Sequence, residues 1–136
     1  MTANVLTKTA ILAAAPETVW QFLTDKDKLA TWFHPADANL STGNDFALLD
    51  AKREPLCWGK VISMDPPSEL VYTFTVKPLQ GVMTTVTWQL EPLDDGTRVT
   101  LIHEGLDTAN AVPFGLIQAL DAGWDEHLAA LRKAQA

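Results

Sequence analysis

Residues 113–136 read PFGLIQALDAGWDEHLAALRKAQA, and this stretch decides the fold. Leu116, Leu120, Trp124, Leu128 and Leu131 recur every three or four positions, with Ile117 beside them. That spacing draws one apolar stripe along a helix of about six turns. Gln118, Asp121, Asp125, Arg132 and Lys133 fall on the opposite, solvated side. A helix this long and this one-sided must lay its stripe on something broad. The middle of the chain supplies it, because there the apolar period drops from about 3.6 to two.

The alternation is cleanest over residues 82–90. Val82, Thr84, Val86, Trp88 and Leu90 point one way, and Met83, Thr85, Thr87 and Gln89 the other. Over 70–76, Tyr72, Phe74 and Val76 share a face, with Thr73 and Thr75 behind them; 77–81 turns. Asp94-Asp95-Gly96 reads as a hairpin turn in which glycine supplies positive φ. The strand after it, 98–104, places Val99, Leu101 and His103 on one side, and a loop from Gly105 leads to the long helix. Upstream, 58–64 is a strand stopped by Asp65-Pro66-Pro67, and 37–49 is expected to hold two strands around the turn at 41–45.

The chain opens with a strand at 5–12. Pro16 then takes the first position of a helix that carries Val19, Phe22 and Leu23 on one face and Trp20 on its flank. A second short helix from Asp27 presents Leu29, Trp32 and Phe33 before Pro35 ends it. Asp25 and Asp27 fall at the junction, where capping accounts for them. The expected fold class is α+β: a curved six- to seven-stranded antiparallel sheet wrapped around a long C-terminal helix, with two short helices after strand 1.

Composition narrows the function classes. The 136 residues carry 47% hydrophobic and 20% charged side chains, a globular balance that suits one domain spanning 1–136. The formal net charge of −7 argues against nucleic acid and anionic membranes as partners. The one cysteine, Cys57, forms no internal disulfide and has neither a CxxC partner nor an adjacent base. Residues 1–12 lack a signal-peptide core and no apolar run approaches a bilayer span, so a cytoplasmic location is the expectation.

The order of short motifs resembles the SRPBCC (START-like, helix-grip) superfamily, in the branch of activator-of-Hsp90-ATPase homologues. The matching pieces begin with Ala15, Pro16, Val19 and Trp20, then Leu29, Trp32 and Phe33. Gly59 and Val61 precede Asp65-Pro66-Pro67 and the run Leu70-Val71-Tyr72-Thr73-Phe74, with Phe74 where the branch more often has tryptophan. Gly96-Thr97, Val99-Thr100-Leu101, His103 and Gly105 follow, and Gly123, Trp124, Leu128 and Leu131 close the series. The resemblance implies a helix-grip fold with an apolar tunnel between sheet and long helix. It implies no reaction, because such proteins bind hydrophobic molecules, catalyse cyclisations or assist chaperones.

Several side chains could carry chemistry. Five tryptophans is generous for this length, and aromatic rings either fill cores or line apolar sites. Trp20, Phe33, Tyr72, Phe74, Trp88, Leu120 and Trp124 are the expected wall of a ligand cavity, with Trp32, Phe22, Trp58 and Phe114 as further aromatic candidates. His103 is the expected polar contact to a ligand, set against the ordinary reading of a buried histidine satisfied within the protein. His127 borders the stripe near Asp125 and Glu126, but no second histidine stands at helical spacing, so no metal site is expected. The glycines form no phosphate-cradling loop, and no cofactor is expected. Gly123, on the margin of the stripe, is expected to admit a close approach by sheet or ligand.

The leading expectation is non-enzymatic binding of a hydrophobic or amphipathic small molecule, readable with a fatty-acid or polyaromatic probe. Chaperone association or self-association through the surface is the second. A cyclase- or hydrolase-like enzyme is the third; it would need a buried acid within reach of His103.

Overall fold

The computed structural model describes residues 5–76, 82–106 and 114–135, without the side chain of Phe114. The expected turn at 77–81, the loop residues 107–113 and the Phe114 ring therefore lie outside the described residues. Strand β1 (Leu6–Leu12) is followed by helices α1 (Pro16–Thr24) and α2 (Lys26–Trp32). Strands β2 (Asp45–Leu49), β3 (Pro55–Asp65), β4 (Glu69–Val76), β5 (Thr84–Leu93) and β6 (Gly96–Glu104) come next, then helix α3 (Phe114–Ala134). The six strands form one curved antiparallel sheet in the order β1-β6-β5-β4-β3-β2. This is the expected α+β helix-grip architecture.

Local chemistry places the short helices. Pro16 sits in the first turn of α1, where its missing N–H costs nothing, and the Ala15 carbonyl accepts from Thr18 and Val19. Asp25 ends α1 and caps α2: its carboxylate accepts from the backbone N–H of Asp27 (2.9 Å) and Lys28 (3.1 Å). The chain thus bends at one residue and lays Val19, Leu23, Leu29 and Trp32 in the core.

Only the second of the two strands expected over 37–49 forms. The first half is held by side-chain and backbone bonds to the helix junction instead. Asn39 Oδ1 accepts from the Lys26 N–H (2.9 Å), and the Leu40 N–H donates to the Thr24 carbonyl (2.9 Å). Asp and Asn side chains offer the backbone these local partners in place of a ladder. The segment also covers the outer edge of β2, where the Leu49 N–H reaches the Pro35 carbonyl and the Asp37 N–H reaches Ala47. At the other edge, Arg132 of α3 donates to the Ile11 carbonyl of β1 (3.2 Å).

Gly96 departs from expectation. Positive φ among the glycines is found at Gly43 and Gly105, and not at Gly96. What requires glycine there is space: a Cβ would stand 2.1 Å from the Leu12 carbonyl oxygen, where the end of β1 pairs with the start of β6.

Helix α3 closes the bowl. Ile117, Trp124, Leu128 and Leu131 are buried, whereas Leu116 and Leu120 are half-buried. Leu128, Leu131 and Trp124 join the main core with Trp88, Leu101, Val99 and Phe74. Ile117 belongs to a smaller cluster with Leu106, against which Leu6, Val76, Val82, Leu116 and Leu120 pack. Asp121 and Asp125 remain partly exposed but both meet Lys8 of β1, at 2.5 and 3.0 Å. Exposed pairs contribute little, so Lys8→Met is expected to lower stability by no more than about 1 kcal/mol. Denaturant titrations at low and high salt should show that difference shrinking as salt rises.

Candidate functional site

A cavity of about 160 Å³ opens where the two apolar clusters meet beneath α3. Four elements build it. Phe33 and His34 follow α2, Cys57 comes from β3, Phe74 and Val76 from β4, and Ala119, Leu120, Gly123, Trp124 and His127 from α3. Ala119 is exposed at the rim, whereas Phe74 and Trp124 are buried. The Phe33 ring lies 5.6 Å from Trp124 and the Phe74 ring 5.9 Å from it, both tilted, so three aromatic faces meet at one wall. The volume is below the roughly 300–1,000 Å³ usual for drug-sized ligands and near the ~150 Å³ that accepts benzene.

Of the eight residues expected at a ligand, Phe33, Phe74, Leu120 and Trp124 line this cavity. Tyr72, Trp88 and His103 lie deeper, as the floor on which the lining rests. The Trp88 indole donates to the Tyr72 hydroxyl (2.9 Å), and its ring meets Trp124 edge-on at 5.8 Å. Trp20 does not reach the cavity; it packs half-buried against the core from α1. His34, Cys57, Val76, Ala119 and His127 line it without having been expected there. No local pattern marks them, because each comes into place through tertiary packing. His127 carried the one available hint, its position beside the stripe.

His103 is fully buried and both its nitrogens are engaged. The Trp124 indole N–H donates to Nδ1 (3.0 Å). The Thr84 hydroxyl gives its proton to the Phe74 carbonyl (2.6 Å), so at 2.7 Å it accepts from His103 Nε2–H. One neutral tautomer satisfies the whole chain from α3 through β6 and β5 to β4. Burial pushes the His103 pKa down to about 4. A second proton would also set an N–H against the indole donor. His103 thus ties the long helix to the sheet and keeps no nitrogen free for a ligand. Among the described residues no carboxylic acid contacts it either, which was the condition for an acid–base role.

The described lining is uncharged: among the described residues no Lys, Arg, Asp or Glu contributes to it. Burial pushes the Cys57 thiol up to about 12, leaving it a protonated, poor nucleophile. Burial also raises Tyr72, which stays a phenol. His34 is lowered by burial, and His127 by burial and then by His34, while a hydrogen bond to the Trp32 backbone pulls His127 the other way. Among the described residues no cluster of three or more His, Cys, Asp or Glu could hold a metal ion. No described helix is long and apolar enough to cross a membrane.

Gly123 faces the cavity from the middle of α3. A Cβ there would meet nothing within 4 Å, so no close approach of the sheet requires glycine. A glycine in a helix interior costs about 1 kcal/mol relative to alanine. What it leaves in return is open space inside the lining.

Solved structures share this fold. Protein MLL2253 from Mesorhizobium loti superposes with a TM-score of 0.84 at 19% identity, covering 96% of each chain. Protein BH1534 from Bacillus halodurans gives 0.80 at 24% identity over 100% of each. The Aha1 dimer from Colwellia psychrerythraea gives 0.75 at 19% identity, over 97% of this chain and 96% of that one. No curated protein matches the chain. The family described as Activator of Hsp90 ATPase homolog 1-like protein matches residues 13–136, from the end of β1 to the last residue. On that match the chain belongs to the Activator of Hsp90 ATPase homolog 1-like family.

Proposed function

We propose that the protein binds a small apolar molecule, about one aromatic ring in size, in the cavity beneath α3. The observation that carries this reading is Gly123. The helix gives up about 1 kcal/mol of propensity at a position where no neighbouring atom forbids a side chain. The space so left is bounded by Phe33, Phe74, Leu120 and Trp124, large apolar surfaces suited to a ring. Burying such a ring at about 25 cal/mol per Å² supports binding on the order of 0.1–1 mM after ordering costs. About one ring fills the volume, and a fatty acid or a polyaromatic would have to extend out through its mouth.

The competing readings, association with a chaperone or with a second copy, draw on the family description and on the Colwellia dimer. The surface offers them less. Among the described residues the large exposed apolar side chains are Val5 and Ile11 at β1, Ile62 on β3 and Met83 just before β5, which lie in three separate places. The outer edge of β2 is met by backbone of the preceding segment, which leaves little of it for strand pairing between copies.

Calorimetric titration with toluene tests the proposal. Saturable one-to-one binding is expected for the wild type and none for Gly123→Leu, whose side chain would occupy the cavity. Gly123→Leu should unfold at equal or slightly higher denaturant than the wild type, by up to about 1 kcal/mol. No binding by the wild type, or unchanged binding by Gly123→Leu, would contradict it.

A further inference from the structure

We propose that His34 and His127 form the polar end of this cavity and select a neutral hydroxyl, so that the ligand class is a small single-ring phenol. The inference rests on the reading that the cavity holds a ligand, and adds which ligands it prefers. Among the described residues, four in the lining carry polar side-chain atoms: His34, Cys57, Trp124 and His127. The Trp124 N–H is engaged with His103, and Cys57 is a weak donor with its thiol protonated. The two histidines remain.

Their rings lie 5.4 Å apart between centroids and nearly perpendicular, at 75°. His127 also packs edge-on against Phe33 at 4.5 Å, which joins the polar end directly to the aromatic wall. His127 also sits near the Trp32 backbone carbonyl, which only accepts and so favours a proton on the ring nitrogen that faces it and leaves the other an acceptor. His34 shows ring contacts and no hydrogen bond within the described residues, so its ring keeps one donor and one acceptor. A hydroxyl oxygen about 2.8 Å from a nitrogen of each ring would donate to His127 and accept from His34. A hydroxyl can do both at once. A carboxylate only accepts, and among the described residues no Lys or Arg lines the cavity to balance it. An ammonium only donates, and among the described residues no acid lines it either. Of the common polar groups on one ring, the phenol hydroxyl fits two neutral imidazoles best.

Calorimetry with p-cresol, toluene and 4-methylbenzoate at neutral pH tests the assignment, because the three share a ring and methyl group and differ at one substituent. The wild type is expected to bind p-cresol about five- to tenfold more tightly than toluene, the factor one net hydrogen bond supplies, and 4-methylbenzoate more weakly than p-cresol. His34→Phe removes one partner at a half-buried position without a hydrogen bond. It should bring the ratio of p-cresol to toluene affinity down to about one, whatever it does to the affinity for toluene itself. His127→Leu, checked for folding by circular dichroism, should do the same. Toluene binding without a p-cresol preference would overturn the hydroxyl selection and leave the cavity standing. Tighter binding of 4-methylbenzoate, or a preference that survives both substitutions, would also overturn it. Binding of none of the three would remove the cavity's role and this inference with it.

Discussion

Trp124→Ala is expected to lower the unfolding free energy by about 3–5 kcal/mol, the largest loss of any single truncation considered. The side chain is 3% exposed and is where α3 meets the bowl. Its ring lies 5.6–5.9 Å from those of Phe33, Phe74, Trp88 and His103. Its N–H satisfies His103 Nδ1. Alanine removes the packing and orphans a buried acceptor, two costs in one change. A domain with 5–15 kcal/mol of stability would be left marginal. Trp124→Phe separates the two, since phenylalanine keeps most of the ring burial and loses the hydrogen bond. It should cost about 1–3 kcal/mol, the desolvation of the orphaned nitrogen. Guanidinium titrations of the two variants give both numbers. A loss below about 1 kcal/mol for Trp124→Ala would mean that α3 is held elsewhere.

Acid should loosen the same junction. A buried imidazole at about 4 in the folded protein, against 6.5 as the ordinary value, takes its proton first in the unfolded chain. Stability from His103 is therefore complete above about pH 6.5, falls as the pH drops from there to about 4, and levels off below. The whole step is on the order of 3 kcal/mol. Carboxylates and the lowered His34 and His127 add slopes of their own, so the difference between wild type and His103→Gln isolates this one. Glutamine can donate and accept but does not titrate in this range. Denaturation curves between about pH 7 and pH 4 should show the wild type losing on the order of 3 kcal/mol more than the variant. Parallel losses in the two proteins would mean that the histidine is solvated when folded.

Much of the fold was written in local periods. The α3 stripe and the Pro16 and Asp25 signals place their elements within a residue or two, and the alternation of β5 within two or three. The first half of 37–49 misled because its apolar residues are sparse and its Asp and Asn side chains bond locally, which sequence spacing does not reveal. Gly96 misled in another way: glycine marks both positive φ and close backbone approach, and only the pairing of β1 beside it tells them apart.

The site was legible in direction and not in depth. Alternation and helical spacing turn Tyr72, Phe74, Trp88, His103 and Trp124 inward, but they do not say which of these reach open space. Depth depends on how α3 sits across the bowl. That seating buries Trp88 and His103 under Trp124 and leaves Phe33, Phe74 and Leu120 at the void. His34 and His127 are ninety-three positions apart in sequence by their numbers and have no shared pattern until α2 and α3 come together.

The most direct measurement is a proton–nitrogen correlation spectrum of labelled protein titrated with toluene. The Trp124 indole N–H and the Gly123 amide should shift together and saturate, while the Trp20 indole, remote from the cavity, stays in place. A Trp124 indole that does not move at saturating toluene, or shifts confined to residues away from α3, would contradict a ligand space beneath the helix.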